Sequence, residues 1–339
     1  MKGPIFMKKK QLRLLLPLCI LLLCCLAGIL CFFRSRAQET FLQLSELNET
    51  AKEEKDTAVN PYFDLSAPTY ITRLQDTYFL VDCYHDEIIC SDSLSRPLNE
   101  WDVMTDEISR GHTIASDGEV YLADDTENHR ILVFEKEDGK FLHTQTFSDI
   151  GVRPHYIVYD EKTRCFYVLS SMTGELYVFT REKDSTRMAL KDVRSIEKLN
   201  GIYVRSFTIM GDEIYFVSGN STIIRARLKD LKILEEYPVP PEIAGMVQLT
   251  KIQDYFYITV STDADFNQDY ATFIRTKDLH SLASGDYEDI YSYFIGGGTP
   301  YYITSFDGHY YLTEHRLPGH SVWQFDVEDN EIVNVIPVY

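Results

Sequence analysis

The amino-acid sequence predicts an all-β domain, a six-bladed β-propeller at residues 61–339, preceded by one N-terminal transmembrane helix and a short stalk. Two observations predict the propeller: one stretch reads as three consecutive short strands, and its pattern occurs six times in all along the chain. A third observation, an uncharged run of 20 residues near the N-terminus, predicts the helix.

The most regular stretch is residues 110–134. A first strand lies around Ile114, Asp117-Gly118 provides a hairpin turn, and a second strand occupies 120–124. Asn128 closes a longer turn before a third strand at 131–134. Glycine after aspartate suits the positive φ of a tight hairpin, and the alternation of apolar and polar residues is typical of strands with one face in a core.

This stretch resembles the NHL repeat, which forms a blade of a β-propeller. The resemblance rests on His112–Ile114, Asp117-Gly118, Tyr121–Asp124 and Asn128–Ile131. It covers one blade well and the others loosely. By analogy of fold, it implies a role in binding and scaffolding.

The same pattern recurs along the rest of the chain. An aromatic residue begins an apolar strand at Phe79, Tyr121, Tyr167, Tyr215, Tyr257 and Tyr311, with spacings of 42, 46, 48, 42 and 54 residues. An apolar residue precedes each of them, at Ile71, Ile114, Ile157, Ile209, Leu249 and Ile303. This period fits one four-stranded blade, and an irregular β-sandwich is the alternative. Residues 331–338 are predicted as the last outer strand, with residues 60–65 added to the same blade.

The N-terminal region is predicted to contain three segments: a basic cytoplasmic segment at 1–13, a transmembrane anchor at 14–34 and a polar stalk at 35–60. A helix of 20 residues spans about 30 Å, which is one hydrocarbon core. The five basic residues before the apolar run place the N-terminus inside and the propeller outside. The predicted location is the cell membrane, with a single span and an extracytoplasmic C-terminal domain. A cleaved signal peptide, with a site at Ser35-Arg36-Ala37, is the alternative.

The chain is strongly acidic outside its first 36 residues. Seven of the 33 Lys and Arg lie in residues 1–36, which contain no acid, so 33 − 7 = 26 basic residues face 52 acidic ones in the remainder, a net charge of −26. Such a surface disfavours nonspecific binding to nucleic acid and to anionic lipid headgroups. We therefore expect no nucleic-acid partner.

Arginine recurs near the start of three blades. Counting four residues back from the apolar position of blades 2, 3 and 4 gives Arg110, Arg153 and Arg205. The start of the first strand and the end of the second reach the same face of a propeller, so these side chains should meet at one mouth. Hairpin geometry places Asp124 or Asp125 beside Arg110, and serines beside the other two. The pattern predicts an anion-binding ring, because guanidinium groups suit carboxylate and phosphate. Ion pairs between blades, for example with Asp82 or Glu314, are the alternative.

Other polar and aromatic residues are predicted at the same mouth, namely His112, His155, Tyr301, Glu314 and His315. Three histidines suit a metal with an open position, and some enzymes with NHL-type propellers carry histidine ligands at the axis. The alternative function is therefore a metal-dependent hydrolase or lyase that uses His112, His155 and an acid such as Glu314. No cofactor is predicted, and the sequence does not identify a metal.

Three further features leave alternatives open. Cys83 and Cys90 are either a disulfide across a hairpin or two small core residues. Residues 263–269 are either a calcium loop or a solvated acidic loop. The tyrosines around Gly296–Gly298 either fill the core or form a stacking platform. Taken together, the sequence predicts a binding module that recognises an anionic or sugar-containing surface polymer or a partner protein.

Overall fold

The computed structural model describes residues 58–315 and 319–339, and these residues form a six-bladed β-propeller. Each blade is an antiparallel sheet of four consecutive strands, with a fifth short strand added to blade 1. The predicted anchor at 14–34 and nearly all of the predicted stalk lie outside the described residues. Within the described part of the chain, no helix has the length and apolar character needed to cross a membrane.

The strands follow the order of the chain. Blade 1 consists of β1 (Ala58–Val59), β2 (Pro68–Leu74), β3 (Thr77–Asp82), β4 (Glu87–Ser91) and β5 (Asp102–Thr105). Blade 2 consists of β6 (Ile114–Ser116), β7 (Val120–Asp125), β8 (Arg130–Glu137) and β9 (Lys140–Phe147). Blade 3 consists of β10 (Pro154–Asp160), β11 (Cys165–Ser170), β12 (Glu175–Arg181) and β13 (Met188–Ser195).

Blade 4 consists of β14 (Val204–Met210), β15 (Glu213–Ser218), β16 (Thr222–Arg227) and β17 (Ile233–Pro238). Blade 5 consists of β18 (Gly245–Ile252), β19 (Tyr255–Thr262), β20 (Thr272–Thr276) and β21 (Glu288–Asp289). Blade 6 consists of β22 (Thr299–Phe306), β23 (His309–His315), β24 (Val322–Glu328) and β25 (Glu331–Pro337). Short 3₁₀ helices span Leu98–Glu100, Glu197–Leu199, Pro241–Ile243, Gln268–Tyr270, Leu279–Ser284 and Tyr291–Tyr293.

The sixfold repeat predicted from the sequence is confirmed. All six repeated aromatic residues lie in the second strand of a blade and are buried, and all six preceding apolar residues lie in the first strand. Buried side chains of neighbouring blades pack together between the sheets; Val120 and Val133 of blade 2, for example, share a cluster with Ile157 of blade 3. The core of the domain is therefore divided into the seams between blades.

The hairpin turns also lie where the sequence predicts them. In blade 2 the Asp117 carboxylate accepts hydrogen bonds from the backbone N–H groups of Glu119 and Val120. Gly118 has φ +95°, in the region that favours glycine. This local chemistry fixes the register of β6 against β7.

Polar side chains join the inner strands of neighbouring blades. The Thr69 hydroxyl donates to the carbonyl of His112, which links blade 1 to blade 2. The Thr313 hydroxyl donates to the carbonyl of Thr69, which links blade 6 back to blade 1. Gln248 binds both the N–H and the carbonyl of Ile303, which links blade 5 to blade 6. The ring is thus closed by specific hydrogen bonds as well as by apolar packing.

The contribution of the N-terminal strand differs from the prediction. β25 is the outer strand of blade 6, as predicted, but Ala58 and Val59 pair with β5 and extend blade 1 instead. Each blade is therefore built from consecutive strands. The C-terminal Tyr339 reaches blade 1, where its hydroxyl donates to the carbonyls of Leu94 and Arg96.

The structure also bears on the three features that the sequence left open. Cys83 and Cys90 are free thiols, because Cys90 lies opposite Phe79 on β4 while Cys83 lies just beyond the end of β3. In the loop at 263–269 the Asp263 and Asn267 side chains accept hydrogen bonds from the N–H groups of the loop itself. Of the tyrosines near Gly296–Gly298, Tyr291, Tyr301, Tyr302 and Tyr311 are buried, and Tyr293 is exposed.

Candidate functional site: a cationic pocket at the propeller axis

One cavity of about 390 Å³ lies at the mouth of the propeller and is lined by residues from all six blades. Its lining includes five of the six predicted arginine and histidine residues, together with Tyr301. The lining residues are Cys83, Tyr84, Arg110, His112, Glu127, Arg153, Tyr203, Arg205, Ser261, Thr262, Gln268, Thr299, Tyr301 and His315. The structure thus brings together six of the eight predicted residues.

Three of the lining residues are the predicted arginines. Arg110 and Arg153 precede the first strands of blades 2 and 3, and both have left-handed backbones, with φ +57° and +60°. The Arg110 guanidinium lies 4.2 Å from the centre of the Tyr84 ring, and that of Arg205 lies 5.1 Å from the centre of the Tyr203 ring.

Arg205 reaches the cavity by a different route from the one that the sequence predicts. Val204 pairs with Ser218 as Pro154 pairs with Ser170, and each first strand bulges at the next residue. In the register of the two blades, Arg205 is therefore equivalent to His155. The sequence analysis had aligned Arg205 with Arg153, which is an error of two residues. β-bulges are common beside functional sites because they redirect a side chain. The prediction counted back from Ile209 without allowing for the bulge. Arg205 nevertheless lines the cavity.

The ion pairs of these arginines also differ from the prediction. Asp125 pairs with Arg130 at 2.5 Å, and Asp124 accepts from Thr113 and His112. Among the described residues, no carboxylate pairs with the Arg110 guanidinium. Arg153 Nη1 instead lies 2.9 Å from Glu127 Oε1 of blade 2, an ion pair between blades that the sequence analysis did not find.

Arg205 contacts a neutral group, since its Nη1 donates to the Ser261 hydroxyl of blade 5. The lining therefore contains three guanidinium groups and one carboxylate, Glu127. This local excess of positive charge lies in a chain with 52 acidic and 33 basic residues. Such a contrast makes the mouth attractive to anions, because the walls of a cleft concentrate the field of the charges that line it.

Aromatic rings form the floor of the cavity. The Tyr301 ring stacks on His315 with centroids 4.8 Å apart, and the His112 ring lies 5.8 Å from Tyr301. Tyr301 belongs to a bulge of β22, where the register shifts between Pro300 and Ile303. Three predicted residues thus form one stacked floor.

His155 lies beneath this floor, and it is not among the lining residues. Its ring is fully buried and stacks on His112, with centroids 3.7 Å apart. Its Nδ1 lies 3.1 Å from the Tyr302 hydroxyl, and its Nε2 lies 3.0 Å from that of Tyr203. Burial, the nearby His112 and the arginines hold the pKa of His155 well below its usual value. His155 is therefore a neutral support of the floor and, unlike the sequence prediction, does not line the cavity.

His112 has the opposite electrostatic environment. Burial disfavours its charged form, but Cys83 and the Asp124 carboxylate favour it more strongly, and they raise the pKa of His112 to about 10. Its Nδ1 lies 3.1 Å from the Thr126 hydroxyl, and Thr126 in turn donates to Asp124 at 2.8 Å. Histidines at equivalent positions of neighbouring blades thus have pKa values shifted in opposite directions, because only His112 faces Cys83 and a carboxylate.

Glu314 does not belong to the site. Its Oε1 accepts from the Tyr291 hydroxyl at 2.6 Å, and its Oε2 accepts from Trp323 Nε1 at 3.0 Å. Burial raises the pKa of Glu314, and these donors limit the rise. The side chain turns into blade 6, so Glu314 neither lines the cavity nor forms the arginine pair offered as an alternative.

The predicted histidine metal site lacks suitable geometry. His112 and His155 stack face to face, with 26° between their planes, so their ring nitrogens do not converge on one point. In the described part of the chain, no group of three His, Cys, Asp or Glu side chains is arranged to hold a metal ion.

Eight lining residues were missed by the sequence analysis: Cys83, Tyr84, Glu127, Tyr203, Ser261, Thr262, Gln268 and Thr299. Tyr203 stands two residues before Arg205, and the register of the strands makes it equivalent to Arg153. Aligning blades 3 and 4 by their strand ends would therefore have found it. Tyr84 and Glu127 lie in loops after second strands, where the sequence carries no periodic signal.

Comparison with known proteins identifies one repeat family in the sequence and a shared fold in solved structures. Residues 112–134 match the NHL repeat. No curated protein sequence is significantly similar to the chain. A protein of Bacteroides fragilis provisionally assigned as a 6-phosphogluconolactonase has a similar structure, with a TM-score of 0.57, 11% identity, and coverage of 80% of this chain and 85% of that one.

Two lyase structures are similar to the same extent. A streptogramin B lyase has a TM-score of 0.55 and 15% identity, with coverage of 82% of this chain and 85% of that one. A catalytically inactive virginiamycin B lyase of Staphylococcus aureus with quinupristin has a TM-score of 0.54 and 16% identity, with coverage of 84% and 88%. Identities this low establish the fold alone. The chain is accordingly a six-bladed β-propeller that carries an NHL repeat in its second blade.

Proposed function

We propose that this protein is a membrane-anchored, extracytoplasmic binding module, and that its axial pocket binds an anionic group of a surface polymer, a sugar-containing ligand or a partner protein. The observation that carries the proposal is the convergence of Arg110, Arg153 and Arg205 on one cavity with a single carboxylate. Guanidinium groups bind carboxylate, sulfate and phosphate through paired hydrogen bonds.

The partners of the arginines support a role in binding. An ion pair between half-exposed groups, such as Arg153 with Glu127, contributes about 0–1 kcal/mol to stability. Arg205 donates only to a serine, and Arg110 lies on a tyrosine ring. These guanidinium groups can therefore accept an anion without the loss of a strong internal pair. The aromatic floor adds a surface for a sugar ring or an apolar group.

The proposal is tested with the full-length protein in detergent and three probes: polygalacturonate, citrate as a small anion, and neutral dextran. We expect calorimetric binding of an anionic probe and none of dextran. Arg153→Ala and Arg205→Ala should each weaken that binding about tenfold, because a hydrogen bond to a charged group contributes about 1.5–3 kcal/mol.

The matched control is Arg227→Ala, which removes a half-exposed arginine of blade 4 that pairs with Asp230 outside the cavity. It should leave binding unchanged. The melting temperatures of the Arg153 and Arg205 variants should stay close to the parent value. A marked fall in both would mean that these arginines hold the blades together, and the proposed function would then be abandoned.

A further inference from the structure

The floor of the axial pocket contains a thiol beside an imidazole. Cys83 follows the last residue of β3, and the second strand of a blade ends at the pocket face. Its Sγ lies 3.9 Å from Nε2 of His112, within the range of a hydrogen bond to sulfur. Both residues line the cavity, so a ligand held there lies next to the sulfur.

The other side of the imidazole is fixed. Nδ1 of His112 lies 3.1 Å from the Thr126 hydroxyl, and Thr126 donates to Oδ2 of Asp124. The backbone N–H of His112 also donates to Oδ2 of Asp124, at 2.9 Å. These contacts orient the ring so that Nε2 faces Cys83.

The surrounding charges favour a protonated His112. The Asp124 carboxylate lies 3.8 Å from Nδ1, and the stacked His155 is neutral. Tyr301 stacks on the ring, and Arg110 and Arg205 lie on the cavity wall. The pKa of His112 is raised to about 10, so an imidazolium faces the sulfur at neutral pH. A cysteine next to a protonated histidine has an enhanced thiolate character.

We propose that Cys83 is a nucleophilic site of the pocket, activated by His112, which forms a covalent bond with electrophiles that carry an anionic group. The selection for anions rests on the proposed function of the arginines, whereas the nucleophilicity of Cys83 does not. The thiol proton already resides on Nε2 of His112, which is thereby the imidazolium described above, and the sulfur attacks an electrophilic carbon as the thiolate. An S–C bond forms, and the carbon–leaving group bond breaks with its electron pair on the leaving group.

The other two described cysteines provide internal controls. Cys90 lies in the core of blade 1, where burial, and secondarily Asp102, raises its pKa to about 12. Cys165 is 1% exposed, and its Sγ donates to the carbonyl of Thr163. Neither lines the cavity, so neither should react readily.

The test uses the full-length protein in detergent at neutral pH with two reagents of similar size, iodoacetate and neutral iodoacetamide. Peptide mass spectrometry follows the alkylation of Cys83, Cys90 and Cys165 separately. Cys83 should react at least about tenfold faster than the other two with both reagents. Compared with a free cysteine peptide, it should also favour iodoacetate over iodoacetamide.

Variants separate the two parts of the proposal. His112→Gln should slow the alkylation of Cys83 by both reagents to a similar degree. Thr126→Val, which keeps the stacked ring but removes its hydroxyl partner, should give a smaller loss in the same direction, and it serves if His112→Gln does not fold. The double variant Arg153→Gln/Arg205→Gln should slow the reaction with iodoacetate only.

The outcomes are distinguishable. If Cys83 reacts no faster than Cys90 and Cys165, or if folded variants of His112 and Thr126 leave its rates unchanged, the nucleophilic site is rejected. If Cys83 reacts fast but equally with both reagents, the nucleophile stands and the anion-binding function of the arginines is contradicted.

Discussion

Glu314 illustrates how much the direction of one side chain matters. Its position in the sequence, next to His315 at the end of β23, is suitable for the pocket. Its carboxylate nevertheless turns away and accepts hydrogen bonds from Tyr291 and Trp323. Gly298 packs directly against this carboxylate, and a Cβ atom there would collide with Oε1. Position 298 therefore requires glycine, because the backbone there approaches the Glu314 carboxylate too closely for a Cβ atom.

Replacement of Glu314 by alanine is expected to lower stability without an effect on ligand binding. The change removes the acceptor of two buried donors, which costs about 2 kcal/mol or more. Thermal unfolding measures the loss, and binding of citrate measures the function. His315→Ala at the adjacent, cavity-lining position is the comparison, and it should weaken binding instead. Weaker binding by a stable Glu314→Ala protein would restore the predicted role of Glu314.

Glu87 is expected to make stability depend on pH. It is buried on β4, and burial together with Asp82 and Asp106 raises its pKa to about 7. The folded protein therefore holds this proton more tightly than the unfolded chain does, and stability falls as the pH rises from about 4.5 to 7. Glu87→Gln should remove this decline, so the variant should melt at a higher temperature than the parent at pH 8 and at a similar temperature at pH 4.

Unfolding curves at several pH values decide the point. The matched control is Glu119→Gln, which changes an exposed residue of blade 2. It should not alter the dependence of stability on pH. Parallel curves for the parent and Glu87→Gln would show that Glu87 is not the group that titrates.

At the scale of the element, each blade is defined by local sequence, while the seams between blades depend on distant partners. The Gln248 side chain of β18 donates to the Ile303 carbonyl and to the Tyr156 hydroxyl, and it accepts from the Ile303 N–H at 2.6 Å. One side chain thus joins blades 5 and 6 and contacts blade 3.

Gln248→Leu is expected to destabilise the propeller by about 2–4 kcal/mol, because both backbone groups of the buried Ile303 lose this partner. Denaturant unfolding provides the measurement. Lys251→Leu on the same strand, where the side chain is exposed, should change stability little. Equal stability of the parent and Gln248→Leu would mean that apolar packing alone holds this seam.

The elements were predictable to different degrees. The four-strand blades, their turns and their buried aromatic residues follow from the period of the sequence, because each hairpin is encoded by neighbouring residues. The bulges at His155, Arg205 and Tyr301 were not predictable from alternation, since a bulge adds one residue without a characteristic pattern. They decide which side chains enter the pocket and which support it from below.

At the scale of the whole molecule, charge and hydrophobicity are distributed unevenly along the chain. The basic residues of 1–13 precede the predicted anchor at 14–34, and the remainder of the chain is acidic. The full-length protein should therefore sediment with membranes and remain there after an alkaline wash. Protease added outside intact cells should digest the propeller.

A variant that lacks residues 1–36 provides the control for this prediction and should remain in the soluble fraction. Release of the full-length protein by high salt would contradict an integral anchor. Protection of the propeller from external protease in intact cells would contradict the predicted orientation.

The sequence by itself determined the number of blades, the strands within them and the recurrence of arginine at the mouth end of blades 2, 3 and 4. Each blade forms from residues that lie within about 50 positions of one another, so its strands can be predicted from the repeated local pattern. The sequence also determined the contrast between a few cations at that mouth and an acidic domain.

Only the tertiary structure decided the partners of those arginines and the roles of the two histidines. Arg153 meets Glu127 of another blade, His112 meets Cys83 and Asp124, and His155 is enclosed by tyrosines of blades 4 and 6. The physical reason is that charge and reactivity depend on atoms within a few ångströms, and ring closure brings those atoms from distant parts of the chain.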